Sequence, residues 1–262
     1  SEWASYWFGD IPVKQGDHMG ELDSTNLQGK KAIVTGATRG VGRSIAQTLV
    51  DHGCHVCICA RNADQVASVV QELSTEGTIV EGQACDVGNQ AEVKSFFHGA
   101  VEVLGGLDIL INNAGIGIFA KVQEMSSLQW RTVMSTNLDS LFYCCHNALP
   151  TMQKGGGGFI VNIGSLAGKN AFPSGAAYCA SKFALVGFSE SLMQEVRHDD
   201  IRVAYIMPGS IDTQFGAFHN PGKAAWKLSA QDVADVVIDT LTRSSRCLTS
   251  RIEMRPSRPP QK

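Results

Sequence analysis

Lys31-Ala32-Ile33-Val34-Thr35-Gly36-Ala37-Thr38-Arg39-Gly40-Val41-Gly42-Arg43-Ser44-Ile45 is the stretch on which the fold turns. Its apolar opening, residues 31–35, reads as a strand, and a helix is expected over 40–52. The turn between them is spaced GxxxGxG rather than the GxGxxG of the standard dinucleotide fingerprint. Gly36, Gly40 and Gly42 let the backbone turn tightly and approach a pyrophosphate, whose charge is favoured at a helix N-terminus. Strand, glycine turn and helix in that order predict the first half of a nucleotide-binding βαβ unit.

The alternation continues along the chain. Further strands are expected at 54–60, 78–84, 107–112, 158–163, 201–207 and 247–253, and further helices at 62–76, 89–104, 127–153, 175–198 and 229–243. The expected fold is α/β: a single Rossmann-like domain with a seven-stranded parallel sheet and helices on both faces. Gly155-Gly156-Gly157-Gly158 reads as a turn before the fifth strand, not a linker. With no repeat and no second domain visible, residues 27–253 form the domain, 1–26 an N-terminal extension and 254–262 a tail. A chain of 262 residues suits one sizeable domain.

Composition narrows the function. With 44% hydrophobic and 18% charged residues and a net charge of −3, the chain has no basic footprint for nucleic acid. No apolar run approaches the roughly 20 residues of a membrane span, so no membrane role is expected. The N-terminus lacks a basic segment followed by a long apolar core, so no signal peptide is expected. Of the eight cysteines, Cys54 and Cys57 form a CxxC. They lie in Cys54-His55-Val56-Cys57-Ile58-Cys59-Ala60, a buried-strand pattern, with no second pair at zinc spacing. They read as small buried thiols rather than metal ligands, and free thiols indicate a cytoplasmic, reducing home.

A second stretch carries chemistry. Tyr178 stands thirteen positions after Ser165, and Lys182 four after Tyr178. A tyrosine and lysine at that spacing share a helix face. A phenol titrates near about 10, and a neighbouring ammonium stabilises its anion. The pair therefore predicts a tyrosine made acidic enough for proton exchange near neutral pH. The second strand ends in Ala60-Arg61, where NAD-preferring folds carry an acid for the ribose 2′-hydroxyl. Arg61 with Arg39 suits a 2′-phosphate instead, through charge-assisted bidentate bonds, and points to NADP(H).

Thr35-Gly36-x-x-x-Gly40-x-Gly42, Asn112-Asn113-Ala114-Gly115, Ser165, Tyr178-x-x-x-Lys182 and Pro208-Gly209 occur in the order and spacing of the short-chain dehydrogenase/reductase family. The chain resembles that family over about residues 27–253, in particular its 3-oxoacyl carrier-protein reductases and related carbonyl reductases. The resemblance implies that Tyr178 protonates a carbonyl oxygen while hydride arrives from the nicotinamide. Lys182 would acidify the tyrosine and bind the ribose, and Ser165 would hydrogen-bond the same oxygen. Asn137 would kink its helix and hold a water leading to Lys182. By the same resemblance Thr38 would lie near the 2′-phosphate, Val41 would bind the cofactor from the glycine turn, Asp86 and Val87 would border the adenine, and Asn113, Ala114 and Gly115 would run along the cofactor. Pro208 and Gly209 would also border the cofactor, and Ile211 and Thr213 would bind the nicotinamide carboxamide and set which ring face is exposed.

Residues 214–228 resemble a substrate-covering segment and contribute Phe215, Phe218 and Trp226. With Phe119 and Phe172 from the loops after strands four and five, they make an apolar wall suited to a hydrophobic or medium-sized carbonyl compound. No charged residue in these segments offers to hold a substrate carboxylate. The same residues run backwards would oxidise a secondary alcohol, and a third reading is a non-catalytic NADP(H)-sensing protein.

The helices at 127–153 and 175–198 are apolar on more than one face, through Leu138, Leu141, Phe142 and Leu149 and through Phe183, Leu185, Phe188 and Leu192. The resemblance implies that two subunits pair these helices, giving a homodimer or homotetramer. At the start of the chain, Trp3, Tyr6 and Trp7 would fall on one face of a short turn capped by Ser1, and Trp3 and Trp7 are expected to dock on the protein or a neighbouring subunit. The alternative is a cloning remnant ahead of a natural start at Met19.

Overall fold

The computed structural model describes residues 26–213 and 225–260; Trp3, Tyr6, Trp7, Met19, Phe215 and Phe218 lie outside them. Strand β1 (Lys31–Thr35) forms where the apolar opening was expected. It pairs in parallel with β2 (His55–Ala60) on one side and β4 (Ile109–Asn112) on the other. Adding β3 (Val80–Ala84), β5 (Gly158–Ile163), β6 (Ile201–Pro208) and β7 (Arg251–Met254) gives the expected seven-stranded sheet, ordered β3-β2-β1-β4-β5-β6-β7. Every pairing is parallel.

Period-2 alternation divides the core in two. Ala32 and Val34 of β1 face one cluster with Ile45 and Leu49 of α1 (Gly40–Asp51), Val66 and Leu73 of α2 (Ala63–Leu73) and Val237 of α7 (Ala230–Leu241). Ile33 faces the other, with Phe96 and Phe97 of α3 (Gln90–Leu104), Leu141 and Cys144 of α5 (Ser140–Gly155) and Leu185 of α6 (Ala176–Val196). Seven of the eight cysteines are buried, including Cys54, Cys57 and Cys59; Cys247 is exposed. Among the described residues no helix is long and apolar enough to cross a membrane.

Most element ends fall within three residues of expectation, and two differences are larger. The helix expected over 127–153 is two, α4 (Ser127–Met134) and α5, joined by a π turn at Ser135–Asp139. β7 begins at Arg251 rather than 247, because Ser244–Cys247 closes a turn and the ladder to β6 starts only at Tyr205–Arg251.

Candidate active site

The strand order reverses direction between β1 and β4, and in such sheets ligands bind outside the carboxyl ends at that point. A crevice of about 1840 Å³ opens there. Its floor is the glycine turn. Gly36 has φ 66°, and a Cβ on it would stand 2.8 Å from Ala114 Cα. A Cβ on Gly42 would overlap the Gly36 carbonyl oxygen and the Asn113 side chain. Gly42 thus sits behind the wall, packing α1 onto the turn. The Asn113 and Ala114 amides donate to Thr35 Oγ1, each at 3.1 Å, and Asn113 Nδ2 donates to the Thr35 and Gly36 carbonyls at 3.0 Å. These bonds join the two loops flanking the crevice.

The N-terminus of α1 differs from those around it. Asn62, Asn89, Ser126 and Ser229 cap α2, α3, α4 and α7 with their side chains. Arg39 stands at the N-cap of α1 without a side-chain cap, and the first turn holds no acid. The leading N–H groups therefore suit an anionic ligand. Thr38, Arg39, Gly40 and Val41 line the crevice there with Arg61, Asp86, Val87 and Asn113-Ala114-Gly115. Arg39 and Arg61 are exposed and form no salt bridge among the described residues. An uncapped helix, a glycine floor and two guanidiniums fit the phosphates of a dinucleotide.

At the opposite end, β5 delivers Ser165 and α6 delivers Tyr178 and Lys182. Ser165 Oγ accepts from the Ala167 amide at 3.1 Å, and its hydroxyl is hydrogen-bonded to Tyr178. Lys182 is buried, with Nζ 5.9 Å from the Tyr178 ring centre, and donates to the Ile163 carbonyl at 2.9 Å. Asn137, in the π turn, accepts from the Ile116 amide at 2.8 Å and donates to the Ile116 carbonyl at 2.9 Å and Ser181 Oγ at 3.0 Å. It lies behind the crevice wall, and its Oδ1 and Lys182 Nζ approach Gly115 from neighbouring directions.

The expected acidification of Tyr178 is not what the structure has. Burial pushes the phenol above its ordinary value, and the Ser165 hydrogen bond offsets this only in part. Burial also pulls Lys182 down to about 8, so the lysine is itself a reluctant cation. Desolvation outweighs the attraction that the spacing suggested.

Aromatic residues form the outer wall. The Phe119 ring packs against Tyr178 at 5.6 Å and Phe172 at 5.8 Å. The Phe172 turn is fixed by Ser174 at φ 62°, whose carbonyl accepts from the Ala120 amide at 2.9 Å. Pro208, Gly209, Ile211, Thr213 and Trp226 line the crevice beside them, while Phe215 lies outside the described residues. Sequence reasoning missed the tail: Arg255, Pro256, Pro259 and Pro260 also line the crevice. The available signal was positional, since Arg255 follows the last strand and emerges at the same carboxyl edge as Ser165.

Comparison with known proteins gives consistent matches. The family described as short chain dehydrogenase matches residues 30–224. An uncharacterized oxidoreductase of Staphylococcus aureus (strain MW2) is 34% identical over 232 residues, covering 88% of this chain and 99% of that one. A metagenomic short-chain oxidoreductase solved in complex with NADP is 32% identical with a TM-score of 0.78, over 88% of this chain and 98% of that one. The alcohol dehydrogenase of the archaeon Thermococcus sibiricus, complexed with 5-hydroxy-NADP, is 26% identical with a TM-score of 0.82, over 89% and 99%.

Proposed function

The chain belongs to the short-chain dehydrogenase family, and from that premise we propose that it is an NADPH-dependent oxidoreductase reducing a ketone or 3-oxoacyl-type carbonyl to a secondary alcohol. The observation that carries the reading is one continuous crevice with two guanidiniums, Arg39 and Arg61, at one end and Ser165, Tyr178 and Lys182 at the other. The NADP present in solved relatives supports the cofactor assignment. Arg39 and Arg61 would hold the 2′-phosphate, and the uncapped start of α1 would receive the pyrophosphate. The cofactor, when bound, supplies the hydride.

Everything else falls to the protein. Ser165 donates a hydrogen bond to the carbonyl oxygen, where negative charge grows. Tyr178 gives that oxygen its proton. A phenol held above its ordinary value stays protonated across the neutral range, which suits a donor in the reductive direction. Lys182, which donates to the Ile163 carbonyl, would hold the ribose hydroxyls of a bound cofactor and present positive charge to the phenolate that is left. Asn137 acts through Ile116 and Gly115 as a positioning residue. The unpaired cysteines support a cytoplasmic setting.

The test is NADPH consumption, followed by absorbance, with a panel of ketones and 3-oxoacyl thioesters. The unmodified protein is expected to consume NADPH, and Tyr178→Phe to lose at least about a hundredfold in turnover while still binding it. Tight NADPH binding with no turnover on any compound would favour a binding protein. Near-normal turnover in Tyr178→Phe would place the acid elsewhere.

A further inference from the structure

The substrate end of the crevice is apolar on the Phe119 and Phe172 side, but its opposite rim is not. β7 pairs with β6 as far as Met254–Pro208, so the next residues emerge at the carboxyl edge of the sheet. The Gly209 amide donates to the Met254 carbonyl at 2.8 Å. A Cβ on Gly209 would lie 3.1 Å from Leu166 Cδ1 and 3.2 Å from both the Met254 carbonyl oxygen and Pro256 Cδ. Arg255 is thus bracketed by two residues packed against Gly209, beside the neighbour of Ser165, and it lines the crevice.

Its side chain is held in place. Glu253 Oε2 accepts from Arg255 Nη2 at 2.8 Å, while Glu253 Oε1 accepts from Lys169 Nζ at 2.8 Å and from Arg251 Nη2 at 3.1 Å. Glu190 also faces Arg251 and helps to balance it. Lys169 and Arg255 are left sharing the Glu253 carboxylate, with one positive charge in excess. Among the described residues Arg255 makes no other hydrogen bond or ion pair. Lys227 and Asp212, the other charged residues on this rim, offset each other in sign. The guanidinium therefore keeps most of its donors available, on a tether to a carboxylate that it shares with Lys169 and Arg251.

We propose that Arg255, positioned by Glu253, binds an anionic oxygen group of the substrate, so that the enzyme prefers carbonyl compounds carrying a carboxylate or a phosphate ester to their neutral analogues. A guanidinium fork matches both groups through charge-assisted bonds, and the apolar wall opposite receives the carbon chain between anion and carbonyl. The inference rests on the carbonyl-reductase reading, whose residues it does not alter.

The experiment has two arms, each run on the NADPH complex. The first compares straight-chain oxo acids of increasing length with their methyl esters. The second compares 3-oxobutanoyl coenzyme A with the same acyl group on N-acetylcysteamine, which lacks the phosphates. The favoured arm identifies the anion. In that arm the charged compound is expected to have a kcat/KM at least about tenfold higher, through KM. Arg255→Gln should abolish the preference and leave the neutral partner unchanged, and Arg255→Lys should keep part of it. Equal rates for charged and neutral partners in the unmodified protein would overturn the proposal. So would an equal loss on both in Arg255→Gln. If no carbonyl compound is reduced, the reductase reading fails separately, and calorimetry with the same oxo acids and coenzyme A thioester decides the site. Binding lost in Arg255→Gln supports it, and absence of binding to the unmodified protein overturns it.

Discussion

Lys182 is a buried amine with a carbonyl for its partner and, among the described residues, no ion pair to a carboxylate, which makes it costly in the cofactor-free protein. Its value falls from 10.5 to about 8 through burial. Below about pH 8 the lysine is protonated in folded and unfolded chains alike, and the folded state carries the whole penalty. Between about 8 and 10.5 the unfolded chain holds a proton that the folded chain has shed, so this residue's contribution to stability rises with pH. At about 1.4 kcal/mol per unit, the penalty at neutral pH is on the order of 3 kcal/mol, against roughly 1 kcal/mol for the hydrogen bond to Ile163. Lys182→Met is therefore expected to abolish turnover and to raise the cofactor-free protein's stability at pH 7 by about 2 kcal/mol. The stability difference between the two proteins should shrink as pH rises above 8 in urea titrations. The difference isolates the lysine, because the buried thiols Cys54 and Cys57, pushed up to about 12, act in the opposite sense above pH 9 in both proteins. An unstabilised Lys182→Met would show that the ammonium is better solvated than its burial indicates. Residue spacing made Ser165, Tyr178 and Lys182 legible as a group, since positions four apart on a helix must share a face. It could not show which way the acidities move, because that depends on desolvation by segments far away in the chain.

At the scale of elements, the π turn at Ser135–Asp139 sets the crevice wall. It swings Asn137 so that one amide clamps the Ile116 amide and carbonyl and reaches Ser181 on α6. Asn137→Ala should leave these groups short of partners and cost about 2–3 kcal/mol in chemical denaturation. Turnover should fall with it, because Gly115 and Ile116 line the crevice. A stable, fully active Asn137→Ala protein would make the clamp redundant. Periodicity did not mark the interruption, because one widened turn leaves the apolar period of 127–153 almost intact and no Gly or Pro stands in 135–139; only the family resemblance, which implied a kink at Asn137, pointed to it. The strands were easier to read: doubly covered parallel strands are short apolar runs, and β1 and β5 fall where those runs lie. β7 was harder, since Arg251-Ile252-Glu253-Met254 is half polar. The tail that follows has no periodicity at all, and only the end of its strand brings Arg255 to the crevice.

At the scale of the molecule, the helices of one face are only partly used by the core. Leu141, Leu185 and Leu192 are buried, but Leu128 is 69% exposed, Trp130 42%, Phe142 49% and Phe183 48%. These four lie on α4, α5 and α6, and the Phe142 ring leans on His146 at 5.5 Å and on Tyr143 at 5.8 Å. A monomer that leaves large apolar side chains of three packed helices in water presents a surface suited to a partner. A second copy pairing α5 and α6 with their counterparts covers Phe142 and Phe183 on both subunits at once, as two-fold symmetry requires. We therefore propose a homodimer built on these helices, or a tetramer that includes it. Light scattering at micromolar concentration should give a mass of at least twice 28.1 kDa. The double variant Phe142→Glu with Phe183→Glu places like charges across the shared face and should shift the mass to that of one chain. Both side chains are half exposed and outside the core clusters, so the fold should survive, with circular dichroism unchanged. A monomeric mass for the unmodified protein would contradict the assembly. An oligomer indifferent to both charges would move its interface away from α5 and α6.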